Sequence, residues 1–454
     1  MRALVLTAIL LLASCAPAPD GAGLPLKVNS VTPKTTPLPP MKRFSAAPPP
    51  SGPLSNADLA RDFLDLTFEL ESGRKIERLT RVDGPIRLRV AGPAPALLVT
   101  ELRDLIGRLR SEAGLDIALT DGPAQITVNA ISRAQVRRSL PQAACFVIPG
   151  VSDWTEFQTA RRSGALDWTR LTKRDKLAIF VPHDVAPQEL RDCLHEELAQ
   201  ALGPVNDLYR LPDSVFNDDN VHTVLTAHDM MILRLTYAPE LSNGMSRAEV
   251  AARLPRILAR INPGGARIPA HGQQDTPRAW IDAIQTALGP GTSDAGRKSA
   301  AERALRIARD AGITDHRLGF SHYILGRLNQ GNRDFARAEF RAADAIFARS
   351  PSTRLHRAFT AAQLAADDIR RNAPQAALDR LAPYPEVAMA AQNAALLATL
   401  MLLQAEALDH LGQTDAAARL RLDSLGWARY GFGAESAVRG KADEVAALHV
   451  ETAS

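Results

Sequence analysis

Every run that reads as a β-strand falls between residues 86 and 181, and from about residue 295 onward the chain carries only helical patterns. Ile86-Arg87-Leu88-Arg89-Val90 alternates apolar with charged side chains, the period-two pattern of a half-buried strand. Ile117–Leu119 and Ile126–Val128 follow, divided by the turn residues Asp121-Gly122, and Cys145–Ile148 and Leu177–Val181 complete the set. Helices interleave with them. Leu59, Phe63, Leu66 and Leu70 recur at helical spacing behind the capping residue Asn56, a second helix covers Leu97–Leu109, and a third runs from about Pro187 to Leu202. The order predicts an α+β or α/β domain built on one sheet, over residues 55–262.

Residues 263–294 are rich in Gly and Pro and are expected to be a linker. Residues 295–435 are Ala-rich, which suits closely crossing helices, and 436–454 are expected to be a tail. Leu325-Gly326, Gly331, Ala338, Ala345 and Pro351 are spaced much as in a tetratricopeptide repeat, with a turn at Gly331–Asp334. A second turn centres on Gly412–Asp415, with helices near Arg354–Arg371 and Gln375–Leu381 between the two. The resemblance implies an all-α domain of helical hairpins, with a plain bundle as the alternative.

At the N-terminus, Arg2, an apolar run from Ala3 to Leu12, and small residues before Cys15 have the layout of a secretory signal over residues 1–14. The apolar run is shorter than the roughly 20 residues a spanning helix needs. Leu12-Ala13-Ser14-Cys15 resembles the bacterial lipobox, which implies cleavage before Cys15 and acylation of that cysteine. Each buried methylene of an acyl chain contributes about 0.8 kcal/mol of membrane affinity. The resemblance implies a location on the periplasmic face of the envelope, and Ala16 rather than Asp after the cysteine points to the outer membrane. Residues 15–54 include Pro37-Leu38-Pro39-Pro40 and Pro48-Pro49-Pro50 and are expected to be a disordered tether.

The remaining two cysteines, Cys145 and Cys193, form an even pair in an oxidising compartment and are expected to be bridged. The formal charge is only +4, and the Arg residues are dispersed among acids rather than gathered on one stripe. Nucleic-acid binding needs a concentrated basic face, so no nucleic-acid partner is expected.

The run Cys193-Leu194-His195-Glu196-Glu197-Leu198-Ala199-Gln200-Ala201-Leu202-Gly203 carries the most chemistry. His195-Glu196 does not open the zinc motif H-E-x-x-H, because Ala199 stands where the second His belongs. Shifted by one residue, Glu196 to Gly203 resembles H-E-x-x-H-x-x-G of the metzincin peptidases. Glu196 and Gln200 then occupy the His positions, Glu197 the catalytic position, Gly203 the turning glycine, and Asn206, followed by Asp207, the place of the third His. Leu225–Tyr237, with Asp229, resembles the helix that follows the metzincin site. The resemblance implies a zincin-like α+β domain with a mixed sheet. Glu197 is its candidate catalytic base and Glu196, Gln200, Asn206 and Asp207 are its candidate metal ligands. These are oxygen donors, which suit a hard divalent ion or none, while His222 or His228 could arrive from later in the chain. A solvated helix face, with Asn206-Asp207 as a turn and Asp229 as a cap, explains the same residues without chemistry.

The set Cys145-Phe146-Val147, Cys193, Glu196-Glu197, Gln200, Leu202-Gly203, Asn206-Asp207, Ser214, Phe216-Asn217-Asp218, Leu225-Thr226, His228-Asp229 and Gly244-Met245 is similar to the bacterial family called domain of unknown function 2927, over roughly residues 55–250. That likeness implies the domain and no activity. The expected function is binding of a peptide or envelope protein without catalysis, with a metal-dependent peptidase as the alternative.

Overall fold

The computed structural model describes residues 37–44, 54–141 and 143–450. The expected signal segment, Cys15 and most of the Pro-rich stretch lie outside them.

Five strands form one sheet: β1 (Ile86–Ala91), β2 (Ile117–Leu119), β3 (Ile126–Ile131), β4 (Phe146–Pro149) and β5 (Leu177–Pro182). Their order is β2-β1-β3-β5-β4. The first four run parallel, and β4 closes one edge antiparallel to β5, with Phe146 opposite Phe180 and Ile148 opposite Ala178. β3 and β5 are buried at every position, as central strands covered on both faces must be. The pleat then sorts β5 by alternation. Leu177, Ile179 and Val181 enter the main core, and Ala178 and Phe180 the smaller core behind it. Helices α1 (Asn56–Thr67), α2 (Ala96–Glu112), α5 (Pro187–Leu202), α6 (Ala227–Thr236) and α7 (Arg247–Ile261) cover the main face, and α3 (Arg133–Ser139) and α4 (Trp154–Ala160) the other. With mostly parallel strands and interleaved helices, the domain is α/β with a mixed sheet, which corrects the α+β class that the zincin resemblance implied.

The rest of the chain is helical: α8 (Arg278–Leu288), α9 (Asp294–Asp310), α10 (His316–Leu328), α11 (Arg333–Phe347), α12 (Arg354–Arg370), α13 (Pro374–Leu381), α14 (Tyr384–Ala390), α15 (Ala394–His410), α16 (Thr414–Phe432) and α17 (Glu435–Val450). Small residues set the closest crossings. A Cβ on Gly431 of α16 would lie 2.5 Å from the Ala395 backbone nitrogen of α15. No described helix is long and apolar enough to cross a membrane.

Three boundary expectations need correction. The stretch 263–294 is not a linker throughout, because Trp280, Ala283, Ile284 and Ala287 form a buried stripe that makes α8 the first helix of the second domain. The supposed tail contains α17, whose Val438, Val445 and Leu448 are buried in the helical core. Residues 37–44 of the expected tether are docked on the folded body rather than free of it.

The two domains share a continuous seam. His316 Nε2 lies 2.7 Å from the Tyr209 carbonyl, and His356 Nε2 lies 2.9 Å from an Asp219 carboxylate oxygen. At the other end of the seam, the Ala395 amide donates to Gln188 Oε1 at 3.0 Å. α5, which carries the candidate residues, therefore lies between the sheet and α16.

Candidate functional site

α5 begins with Pro187 at its first position, and its last turn is held by Arg174. The buried Arg174 guanidinium donates to the carbonyls of Gln200, Ala201 and Gly203, groups a helix end leaves without intrahelical partners. Gly203 has an extended φ of −171°, so no left-handed turn requires it. Its role is steric: a Cβ there would come 2.8 Å from the Thr236 side chain of α6.

The candidate residues separate once folded. Glu197 is 0% exposed, and its carboxylate faces the Val147 backbone without forming a well-made hydrogen bond. Glu196 is half-buried, and Gln200 is buried. Asn206 turns away and donates to the Asp65 carbonyl at 3.0 Å, pinning the loop after α5 to α1. Asp207 stays, and it is hydrogen-bonded to Glu71, from the loop after α1. Asp218, which accepts from the Tyr209 hydroxyl at 2.8 Å, is close enough to Asp207 for each to repel the other's charge. Glu71 and Asp218 have no motif spacing relative to α5 and were not legible as members of the group.

Among the described residues, no imidazole completes this set. His195 Nδ1 accepts the Leu225 amide at 3.1 Å, and burial holds its ring well below the usual range. His222 Nε2 lies 3.1 Å from the Pro212 carbonyl, and His228 belongs to a second network. Among the described residues, no three His, Cys, Asp or Glu side chains are arranged to hold a metal ion. The donor set therefore does not fit a catalytic zinc, which takes three protein ligands and keeps an open position. Asn206 is engaged elsewhere and Glu197 is sealed.

Burial instead shifts these carboxyls toward their protonated forms. It pushes Glu197 and Glu71 well up, with Asp207 the next cause for each. It pushes Asp207 up to about 6 and Asp218 up to about 7. A raised carboxyl retains in the fold a proton that the unfolded chain loses, so stability declines as pH rises toward the folded value. His195, and His316 at about 4, oppose this below pH 6.5, because they are neutral in the fold and charged when unfolded. Above 6.5 that opposition ends, and His228, held up at about 10, adds to the decline. The melting temperature is accordingly expected to fall between about pH 6.5 and 8, and Asp218→Asn to flatten that slope while still accepting from Tyr209. A pH series of thermal melts checks this, and a flat or rising wild-type profile would contradict it.

The second network lines a cavity of about 700 Å³ between the domains. Arg210 pairs with Asp62 and, at 2.7 Å, with Asp65, and Asp62 also lies 3.2 Å from His228 Nε2. His228 Nδ1 faces Asp229 at 3.5 Å. Asp229 caps α6 through the Thr226 amide at 2.8 Å and also accepts from the Val215 amide and the Ser214 hydroxyl. Despite burial, the His228 hydrogen bond and charge hold Asp62 and Asp229 below the carboxylate range. Leu355 of α12 and Val387, Ala390 and Ala391 in and beside α14 supply an apolar wall from the second domain. Its volume falls within the range of about 300–1,000 Å³ usual for ligand pockets.

The fold and these sites define an α/β domain joined along a seam to a helical-hairpin domain, with a cavity between them and a sealed carboxyl group behind α5. Residues 56–256 match a family model described as "Protein of unknown function (DUF2927)". No curated protein and no solved structure matches the chain.

Proposed function

We propose that the chain is a lipid-anchored envelope protein that binds a peptide or a segment of a partner protein in the cavity between its domains. One observation carries the reading: the cavity takes a charged wall from α1, α6 and the loop before α6, and an apolar wall from the helical domain. Neither domain forms it alone, and convergent polar groups beside apolar surface are what a peptide requires. In this reading the first domain is a zincin-like scaffold without its metal chemistry, and the helical hairpins are a tetratricopeptide-like partner surface.

Selection of binders from a displayed peptide library against the exported full chain tests it. Ala390→Trp, which fills the apolar side, is expected to weaken the selected peptides at least tenfold without lowering the melting temperature. Equal affinity for wild type and Ala390→Trp would place the binding elsewhere. Cys15→Ser is expected to move the chain from the membrane to the soluble fraction, and an unchanged distribution would remove the lipid anchor from the proposal.

The peptidase alternative rests on Glu197 and Gly203 at motif spacing. Cleavage of the same library, abolished by Glu197→Gln, would favour it; cleavage insensitive to that change would exclude Glu197 as a base.

A further inference from the structure

Residues 37–44, Pro-Leu-Pro-Pro-Met-Lys-Arg-Phe, have no regular secondary structure, yet they lie along a formed bed. One face of α16 supplies it through Asp423, Gly426, Trp427 and Tyr430, spaced at i, i+3, i+4 and i+7. The Lys42 amide donates to the Gly426 carbonyl at 3.0 Å, and Arg429 donates to the Pro39 carbonyl at 2.7 Å. Lys42 pairs with Asp423, and its ammonium sits 5.5 Å from the Trp427 ring centre. The Phe44 ring lies 4.8 Å from Trp427 and meets Tyr430 edge-on at 6.1 Å. Gly426 fits the close approach: a Cβ there would come 3.0 Å from Lys42 and 3.2 Å from the Pro40 carbonyl.

The same eight residues also grip the first domain. Arg43 reaches Glu101 of α2 at 3.0 Å, and Glu101 in turn accepts from the Tyr430 hydroxyl at 2.9 Å. Arg191 of α5 places its guanidinium 5.4 Å from the Phe44 ring and 5.3 Å from Tyr430, and donates to the Gln392 carbonyl of the helical domain at 2.6 Å. The segment thus touches α2 and α5 on one side of the seam and α16 on the other.

We propose that this bed is a recognition site for an extended Pro-rich segment ending in two basic residues and an aromatic one, filled by the chain's own residues 37–44, and that the filled site clasps the two domains together. The chemistry matches the ligand. A Pro-rich strand offers carbonyls and little conformational entropy to lose, aromatic rings receive such strands, and cation–ring stacking favours the basic positions. Gly426→Val is expected to expel the segment by occupying its bed, and Phe44→Ala by removing its anchor.

Hydrogen exchange on the full chain reads both parts of the proposal. The Lys42 amide reports the clasp, and the Ala395 amide, bonded to Gln188 across the seam, reports domain contact. In both variants exchange at the two amides is expected to rise at least tenfold together, while β3 and β5 amides keep wild-type protection as the sign of an intact fold. Arg43→Ala, which removes the pairs with Glu101 and Asp104 and leaves the contacts to α16, should give a smaller rise in the same two places. If Lys42 is released and Ala395 stays protected, the segment is no clasp. If Lys42 stays protected in Gly426→Val, the bed does not recognise it.

Discussion

Arg210→Met is expected to destabilise the chain by about 3–5 kcal/mol, the usual cost of removing one partner from a buried ion pair. The side chains of Arg210 and Asp62 are 3% and 9% exposed, so water cannot readily replace the lost guanidinium. Asp62 would keep His228 at 3.2 Å, but Asp65 would lose its buried partner and retain Arg247 at 2.7 Å on the surface side. The damage should spread to the cavity wall, because Arg210, Asp62 and His228 all line it. The double change Asp62→Leu with Arg210→Met is expected to recover part of the loss, since an apolar replacement for both partners avoids leaving a buried charge alone. Guanidinium unfolding of the single and double variants measures both effects. A single-variant loss below about 1 kcal/mol would show that the cavity admits enough water to screen the pair.

This network also explains what sequence could and could not reveal. The strands and α5 were legible because their signals are local: apolar alternation, Pro187 at the first helical turn and Gly203 after the last. Asp229 as a cap was legible for the same reason, as Thr226 stands three residues before it. The cavity was not, because Asp62, Arg210 and His228 are brought together from positions 148 and 166 residues apart from Asp62 in the chain, with no spacing rule to mark them. Glu71 escaped notice similarly, and Asp218 was legible only as part of the family likeness, not as a neighbour of Asp207, since each arrives on a loop. α8 is a different case. Its stripe Trp280, Ala283, Ile284 and Ala287 has helical spacing, but the Gly and Pro residues on both sides outweighed it. The clasp was hidden because Pro-rich composition argues for a free tether unless a bed exists, and the bed lies nearly 400 positions later on α16.

The metzincin-like spacing along α5 does not bring all of its candidate ligands together, because Asn206 is engaged by α1. Gly203 meets the Thr236 side chain too closely to carry a Cβ, Asn206 is held by the Asp65 carbonyl, and Glu197 faces Val147 of β4 from α5, so each has a structural setting of its own. What the site holds is a group of buried carboxyls with raised pKa values, which ties stability to pH.

Replacing both Cys145 and Cys193 by Ser is expected to cost about 4 kcal/mol, the loop-closure entropy of a bridge of this span. The two cysteines are bonded and lie 48 residues apart, and they join the residue just before β4 to the middle of α5. Among the described residues β4 has one neighbour in the sheet, the antiparallel β5, and the bridge adds a covalent tie to α5. Glu197 lies one helical turn beyond Cys193 and close enough to Val147 of β4 for the Val147 backbone to lower its pKa against the effect of burial. Loss of the bridge should therefore loosen the cover over Glu197 as well as lower stability. Two measurements separate these effects. Guanidinium unfolding of wild type with and without reductant should show the reduced chain matching the double Ser variant. Exchange at β4 amides should rise more than exchange at β3 amides. If the variant lost less than about 1 kcal/mol and β4 kept its protection, the sheet and the small core behind it would be sufficient to hold the edge strand, and the bridge would be dispensable to the fold.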